Sequence, residues 1–339
     1  MTAQTSIVER GGWWRSIPTE SLWRNLGLVG VLVVLFVIGA IIRPDLYGDS
    51  EWVVNNMLVI LQQAAAIGVV TVGMTFVIIG GGIDLSVGAL IALAGVWSTT
   101  VATQSFGAGG MIFAALAVGT IAGSINGLLV AYGRLVPFIA TLAMLVAARG
   151  LAAQISGKQT QVSTNQFING IANTRVLGIP MLVIILAIAG ALGWVLLNRT
   201  TFGRRTVAIG SNAEAARLAG INVRRHTLMI YALSGLCCGI AAIMLTSLAT
   251  SSQAAAAELY ELDAIAAAII GGTLLSGGRG TIVGSMFGVI VFSAITNLFA
   301  IANLPTEVQN MVKGGIIVLA VLVQQFRYSS LTALLRRAS

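Results

Sequence analysis

The chain has 339 residues, 57% of them hydrophobic and only 9% charged, against roughly 25% charged in soluble domains. That leaves too little polar surface to cover a soluble globule. The apolar runs of about twenty residues are continuous rather than alternating, which excludes a transmembrane β-barrel. The net charge of +8 is read as basic loops held on the cytoplasmic side of a membrane, so no nucleic-acid partner is expected.

Residues 1–25 form a polar segment with Arg10, Arg15 and Arg24. The apolar run 26–42 follows and ends Ile41-Ile42-Arg43-Pro44 without a small-residue cleavage signal. It reads as an uncleaved first span rather than a signal peptide. Residues 52–63 carry Asn55, Asn56, Gln62 and Gln63, which predicts an interfacial or partly inserted helix. Further spans are predicted at 64–80, 86–104, 111–131, 136–154, 177–197, 227–249, 263–276, 282–302 and 309–326. The fold class is therefore all-α, a polytopic transmembrane bundle of about ten spans. It divides into a cytoplasmic segment 1–25, one membrane domain 26–326 with a large loop at 198–226, and a tail 327–339.

With the N-terminus inside, the loops sort by charge. The cytoplasmic side takes fourteen arginines: Arg10, Arg15, Arg24, Arg134, Arg199, Arg204, Arg205, Arg217, Arg224, Arg225, Arg279, Arg327, Arg336 and Arg337. The external side takes Arg43, Lys158 and Arg175, with the acids Asp45, Asp49, Glu51, Glu258, Glu261, Asp263 and Glu307. That asymmetry predicts both termini and the 198–226 loop in the cytoplasm.

A repeat shows in the glycine pattern. Gly119-Thr-Ile-Ala-Gly-Ser-Ile-Asn-Gly-Leu-Leu-Val130 matches Gly280-Thr-Ile-Val-Gly-Ser-Met-Phe-Gly-Val-Ile-Val291 at seven of twelve positions. The two stretches fall in the fourth and ninth predicted spans, which run in opposite directions. Asp84 and Asp263 open the spans before them, and Pro137 and Pro305 precede the spans after them. This order is the signature of an inverted repeat. The four-residue spacing of Gly119, Gly123 and Gly127, and of Gly280, Gly284 and Gly288, bares one helix face for close packing, as do Gly235 and Gly239.

The turn Gly80-Gly-Gly-Ile-Asp-Leu-Ser-Val-Gly88 joins the second and third spans. Gly81, Gly82, Asp84 and Ser86 read as a capped structural turn, with Asp84 at the positive end of the next helix. It lacks the Lys-Ser/Thr of a nucleotide loop, and no Gly-x4-Gly-Lys occurs in the chain, so ATP hydrolysis is not expected here. Arg149 and Lys313 fall toward the external ends of spans, as functional charges or as snorkelling side chains. Neutral polar residues at depth, chiefly Thr71, Thr75, Asn126, Thr141 and Asn297 with Ser234, Thr246 and Thr296, suit the path of a neutral hydroxylated solute.

The external stretch 156–175 carries Gln159, Gln161, Asn165, Gln166, Asn169 and Asn173. It reads as a solvated loop, a gate or a docking site. Cys237 and Cys238 are adjacent in an apolar run and His226 stands alone in the basic loop. No catalytic constellation, metal site or cofactor is expected.

Within the 198–226 loop, Glu214-Ala-Ala-Arg-Leu-Ala-Gly-Ile221 joins helix formers to a glycine stop, with Ser211-Asn212 as candidate caps. It predicts a short helix outside the bilayer. Glu214-Ala-Ala followed by Gly220 resembles the coupling motif of ABC-importer membrane subunits. Gly73-Met-Thr75, Gly81-Gly-Ile-Asp-Leu-Ser-Val-Gly88, Phe202-Gly203, Ala208-Ile-Gly210, Ala268-Ile-Ile-Gly-Gly272 and Gly277-Gly-Arg-Gly280 narrow the resemblance. It is to the ribose-type permeases of monosaccharide ABC importers, from about residue 55 to 325.

The resemblance implies a bacterial cytoplasmic-membrane subunit that works as a pair, expected to be a homodimer. A separate ATPase engages the coupling helix and an extracytoplasmic sugar-binding protein delivers a pentose or similar sugar. Glu214, Ala215, Ala216, Arg217, Leu218 and Gly220 would transmit ATP-driven motion in an alternating-access cycle. The alternative from another class is an ion-coupled secondary transporter of a small polar solute, which usually places acids at mid-membrane. Here the acids lie outside or at span ends.

Overall fold

The computed structural model describes residues 19–337, with side chains described for residues 25–322. Arg10 and Arg15, the side chains of Arg24, Arg327, Arg336 and Arg337, and most of the segment 1–25 lie outside the described residues.

The elements run α1 (Thr19–Ile42), α2 (Pro44–Tyr47), α3 (Ser50–Ile79), α4 (Val87–Ser98), α5 (Val101–Gln104), α6 (Gly107–Ala131) and α7 (Pro137–Ile155). Then come β1 (Gln161–Val162), α8 (Gln166–Ile171), β2 (Arg175–Val176), β3 (Ile179–Pro180), α9 (Met181–Arg199), α10 (Thr201–Ser211) and α11 (Ala213–Leu218). The chain closes with α12 (Val223–Ala249), β4 (Ser251–Ser252), α13 (Tyr260–Ile270), α14 (Ile282–Ile301) and α15 (Thr306–Arg337).

All ten predicted spans fall on helices, and seven helices among the described residues are long and apolar enough to cross a membrane. The chain is a polytopic helical membrane protein. Two predicted spans differ in kind. Residues 86–104 split into α4, of 12 residues, and the single turn α5, while α13 has only 11 residues. At about 1.5 Å per residue neither α4 nor α13 covers the roughly 30 Å of a bilayer core. The break after α4 comes at Thr99 and Thr100, whose hydroxyls turn back onto the carbonyls of Gly95, Val96 and Trp97. Residues 52–63 are not a separate interfacial helix. They are the first part of the 30-residue α3, capped at Asp49, whose carboxylate accepts the Glu51 amide at 2.9 Å.

The centre of the bundle is α3, α4 and α12, flanked by α6 and α14. Apart from Trp97, every residue of α4 is buried. Side chains there are small, so backbones approach closely: a Cβ at Gly119 would strike Gly235 and Gly239, and one at Gly123 would strike Tyr231 and Gly235. The second glycine set does the same for α14, where Gly288 meets the backbone of Ala267, and Gly271 of the α13–α14 link meets Gly284. In a membrane, where lipid tails are as apolar as the helices, such dispersion contact supplies much of the association energy.

The packing partners alternate between halves. The helix α6 packs on α4 and α12, while α14 packs on α13 and α3. At one end of the molecule, residues 156–180 are ordered rather than a plain loop. Strand β1 pairs with β4, Gln161 opposite Ser252. Ile168 of α8 is fully buried, and Gln104 holds the strand by donating to the Val162 carbonyl and accepting the Thr164 amide.

Candidate functional site

The end opposite α8 carries α10 and α11. Thr200 ends α9 and starts α10: its hydroxyl donates to the Leu196 carbonyl at 2.6 Å and accepts the amides of Phe202 and Gly203. Gly203, Thr206 and Ile209 face inward at helical spacing, while Arg204 and Arg205 are exposed. His226, from α12, sits behind this face with Nε2 at 2.9 Å from the Thr206 hydroxyl and its ring against Phe202.

Asn212 caps α11, its side-chain oxygen accepting the Ala215 amide at 2.9 Å. The far end closes in a Schellman motif. The amide of Gly220 reaches the Arg217 carbonyl and that of Ile221 reaches the Ala216 carbonyl, each at 3.0 Å, with Gly220 at φ +82°. That left-handed conformation is costly for any residue with a Cβ, which accounts for the glycine. Ala216 is buried. Glu214 and Arg217 form an exposed bidentate ion pair, at 2.5 and 3.0 Å. The guanidinium holds the Glu214 carboxyl below its ordinary value. Leu218 beside them is 75% exposed.

Helix α10 is not a free appendage. Gly210 lies against the backbone of Ile79, at the end of α3, and against Gly278 in the α13–α14 link. Gly278 donates its amide to the Ile79 carbonyl at 2.8 Å. Gly277 touches Gly210 and Gly81, so three connections meet backbone to backbone.

The Gly80–Gly82 turn follows directly. Gly81 takes φ +85°, and a Cβ on Gly82 would strike the Tyr231 hydroxyl. Asp84 and Ser86 are fully buried. Asp84 does not cap α4 from the N-cap position as expected. Ser86 occupies that position, and Asp84 accepts from its amide at 3.0 Å and its hydroxyl at 2.6 Å. The second carboxylate oxygen accepts the Ser234 hydroxyl at 3.1 Å, and Asn126 donates to Ser86 at 2.8 Å. Thr141 and Tyr231 both donate to the Ile83 carbonyl. Helices α6, α7 and α12 thus tie down one turn.

The remaining polar residues at depth are spread out. Thr71 donates back to Ile67, and Thr75 to Thr71 and to Ser285 of α14 at 2.8 Å. Asn297 is buried on α14. Asn126 and Thr141 belong to the Asp84 cluster.

At the α8 end Arg149 and Lys313 are both engaged by protein. Arg149 of α7 donates from Nη1 to the Ala254 and Ala256 carbonyls at 2.5 and 2.6 Å. Lys313 of α15 meets Asp263 of α13 at 3.4 Å. Neither pairing has a sequence signal, since the partners are 105, 107 and 50 residues apart. Among the described residues no group of three or more His, Cys, Asp or Glu could hold a metal ion.

The bundle thus combines two half-length helices, a buried polar turn and the short helical pair α10 and α11. The family described as branched-chain amino acid transport system / permease component matches residues 56–321, and the chain belongs to it. Among curated relatives, the ribose import permease protein of Bacillus subtilis (strain 168) is 40% identical over 313 residues, 92% of this chain and 96% of the relative. The ribose import permease protein of Escherichia coli (strain K12) is 38% identical, covering 89% and 94%. The galactofuranose transporter permease protein of the same strain is 34% identical, covering 90% of each chain. No solved structure matches the chain. The resemblance to sugar ABC-importer permeases drawn from the motifs is borne out, and the chain is a multi-pass protein of the cytoplasmic membrane.

Proposed function

We propose that this chain is the membrane subunit of an importer that moves a monosaccharide, of the pentose or hexose class, inward across the membrane. A separate cytoplasmic ATPase drives it and an extracytoplasmic sugar-binding protein feeds it. Two copies of the chain form the pathway, which opens alternately to each side. Residues 26–326 act as one permease domain, with 1–25 and 327–339 as cytoplasmic ends. The four relatives named for ribose, galactofuranose, L-arabinose and galactose support a sugar.

One observation carries the coupling role. Helix α11 presents Glu214, Arg217 and Leu218 outward on a rigidly capped turn, and α10 joins that turn to the bundle through Gly210. A force on α11 would reach the end of α3 and the α13–α14 link together. The exchange of packing partners between α6 and α14 supports an inverted repeat, and the positive-inside bias supports placing α11 in the cytoplasm.

The test is sugar uptake into proteoliposomes containing the chain with its ATPase and binding protein. Uptake should require both partners and internal ATP. Uptake driven by an ion gradient with this chain alone would overturn the reading in favour of a secondary transporter.

A further inference from the structure

Near the α8 end, a cavity of about 260 Å³ opens between α3, α12, α13, α14 and α15. Its polar lining includes Gln62, Asp263, Ser293, Thr296 and Lys313, with Phe292 as an aromatic wall. Of the polar residues predicted to suit a solute path, Thr296 lines it. Three features give it a defined chemistry.

First, its charges cancel. Lys313 Nζ lies 3.4 Å from Asp263 Oδ2, with 19% and 11% of the two side chains exposed, and the ammonium sits 5.3 Å from the Phe292 ring centre. A charged ligand would leave one partner uncompensated in a low-dielectric site, which is costly. A neutral ligand would not.

Second, the lining both donates and accepts. The carboxylate accepts, the ammonium donates, and the Ser293 hydroxyl can do either. The Thr296 hydroxyl, which donates to the Phe292 carbonyl, can accept. The Gln62 amide, which donates one N–H to the Ala172 carbonyl, keeps its oxygen and second N–H. The Lys313–Asp263 bond is long for an N–H···O contact, so either group can turn to a ligand hydroxyl. A ring bearing several hydroxyls on one face and C–H groups on the other matches this lining, its apolar face against Phe292. The volume lies just below the roughly 300–1,000 Å³ of drug-sized pockets.

Third, its place in the fold is telling. Asp263 lies in the first turn of α13, one of two half-length helices in corresponding positions of the two halves. In secondary transporters, interrupted helices so placed between two repeats hold the substrate, and α13 shares that placement.

We propose that this cavity is a holding site for the sugar within the membrane, with Asp263 and Lys313 gripping its hydroxyls. This rests on the permease reading above.

The test uses the complete transporter in proteoliposomes, probed with radiolabelled ribose, arabinose and galactose. With saturating binding protein, Asp263→Asn and Lys313→Met should each lower turnover of the transported sugar about tenfold or more, as loss of a charge-assisted hydrogen bond predicts. Binding-protein-stimulated ATP hydrolysis should persist. Thr296→Val is a milder second variant should the ion-pair variants fail to assemble, and it should lower turnover in the same direction.

A thiol at Ser293→Cys, in a chain with Cys237 and Cys238 replaced by alanine, should react more slowly with a small maleimide when the transported sugar is present. Sugars that are not transported should give no such protection. If the wild type moves a sugar while all three lining variants match it, the proposal falls and the permease reading stands. If the variants lose turnover but sugar never protects the thiol, the ion pair is a clamp between α13 and α15, and the proposal also falls. If the wild type moves no sugar of the panel, both fall together.

Discussion

The Gly278 amide donates to the Ile79 carbonyl at 2.8 Å, and Gly210 packs against both residues. A side chain at position 210 must displace one backbone or the other. Overpacking of this kind costs about 1–3 kcal/mol. Gly210→Val should therefore lower the melting temperature of the purified chain. It should also reduce uptake more than it reduces ATP hydrolysis, because α10 would no longer seat against α3. Equal losses in the two assays would mean that the contact is only structural.

The crossing of α6 and α12 offers a second measurement. Gly235→Val intrudes on Gly119 and Gly123, while a Cβ on Gly150 of α7 would meet nothing within 4 Å. The first substitution should destabilise by about 1–3 kcal/mol, read as a fall in thermal midpoint. Gly150→Ala should leave the midpoint unchanged or raised, since alanine is the better helix former.

Asp84 accepts three hydrogen bonds while fully buried. Replacing it by alanine strands Ser86 and Ser234 at about 1–3 kcal/mol for each unsatisfied group. Asn keeps one side-chain acceptor and should lose less. Folded yield in detergent, by size-exclusion chromatography, should rank wild type, Asp84→Asn, then Asp84→Ala. A reversed order would show that the knot around Ser86 does not depend on its carboxylate.

Glu214 is exposed, so Glu214→Lys should leave the thermal midpoint alone. It removes the pair with Arg217 and places two like charges on one short helix, so binding-protein-stimulated uptake should fall about tenfold or more, as for a lost charged contact at an interface. The pair also predicts a pH profile. Its carboxyl titrates below the ordinary 4.5, so the interaction is fully present above that value and is lost only as pH falls through the depressed one. Coupling that depends on it should stay level from neutral pH down to about pH 5.

Arg149 anchors the link between α12 and α13 through two carbonyls. That link holds Thr250, Ala257 and Leu259 at positive φ, conformations costing about 1–3 kcal/mol each unless neighbours enforce them. Arg149→Met should raise hydrogen exchange across residues 250–260 and leave α6 protected. Unchanged exchange would remove Arg149 as the anchor.

Much of this was legible in the sequence because it is local. Each of the ten apolar runs falls on a helix, Asn212 and Gly220 bounded α11, and the paired glycine stretches marked the two helices that exchange partners. The half-length of α4 was hidden because Val101–Gln104 continues the apolar run after Thr99 and Thr100 break the helix. The continuity of α3 was hidden because Asn56 and Gln62 imitate an interfacial stretch, yet Asn56 is buried and Gln62 bonds to the Ala172 carbonyl. The Asp263–Lys313 pair, the Arg149 anchor and the meeting of Gly81, Gly210 and Gly277 are long-range contacts between single residues. No periodicity encodes them.

The shortness of α4 and α13 bears on the surrounding lipid. A full-length helix that tilts drags its ends through both headgroup layers and forces the bilayer to thin or thicken around it. Helix α4, walled in by α6, α7 and α12, has almost no outer face to present to lipid. A shift of such a piece is a rearrangement of protein against protein. The outline that the membrane must seal stays the same.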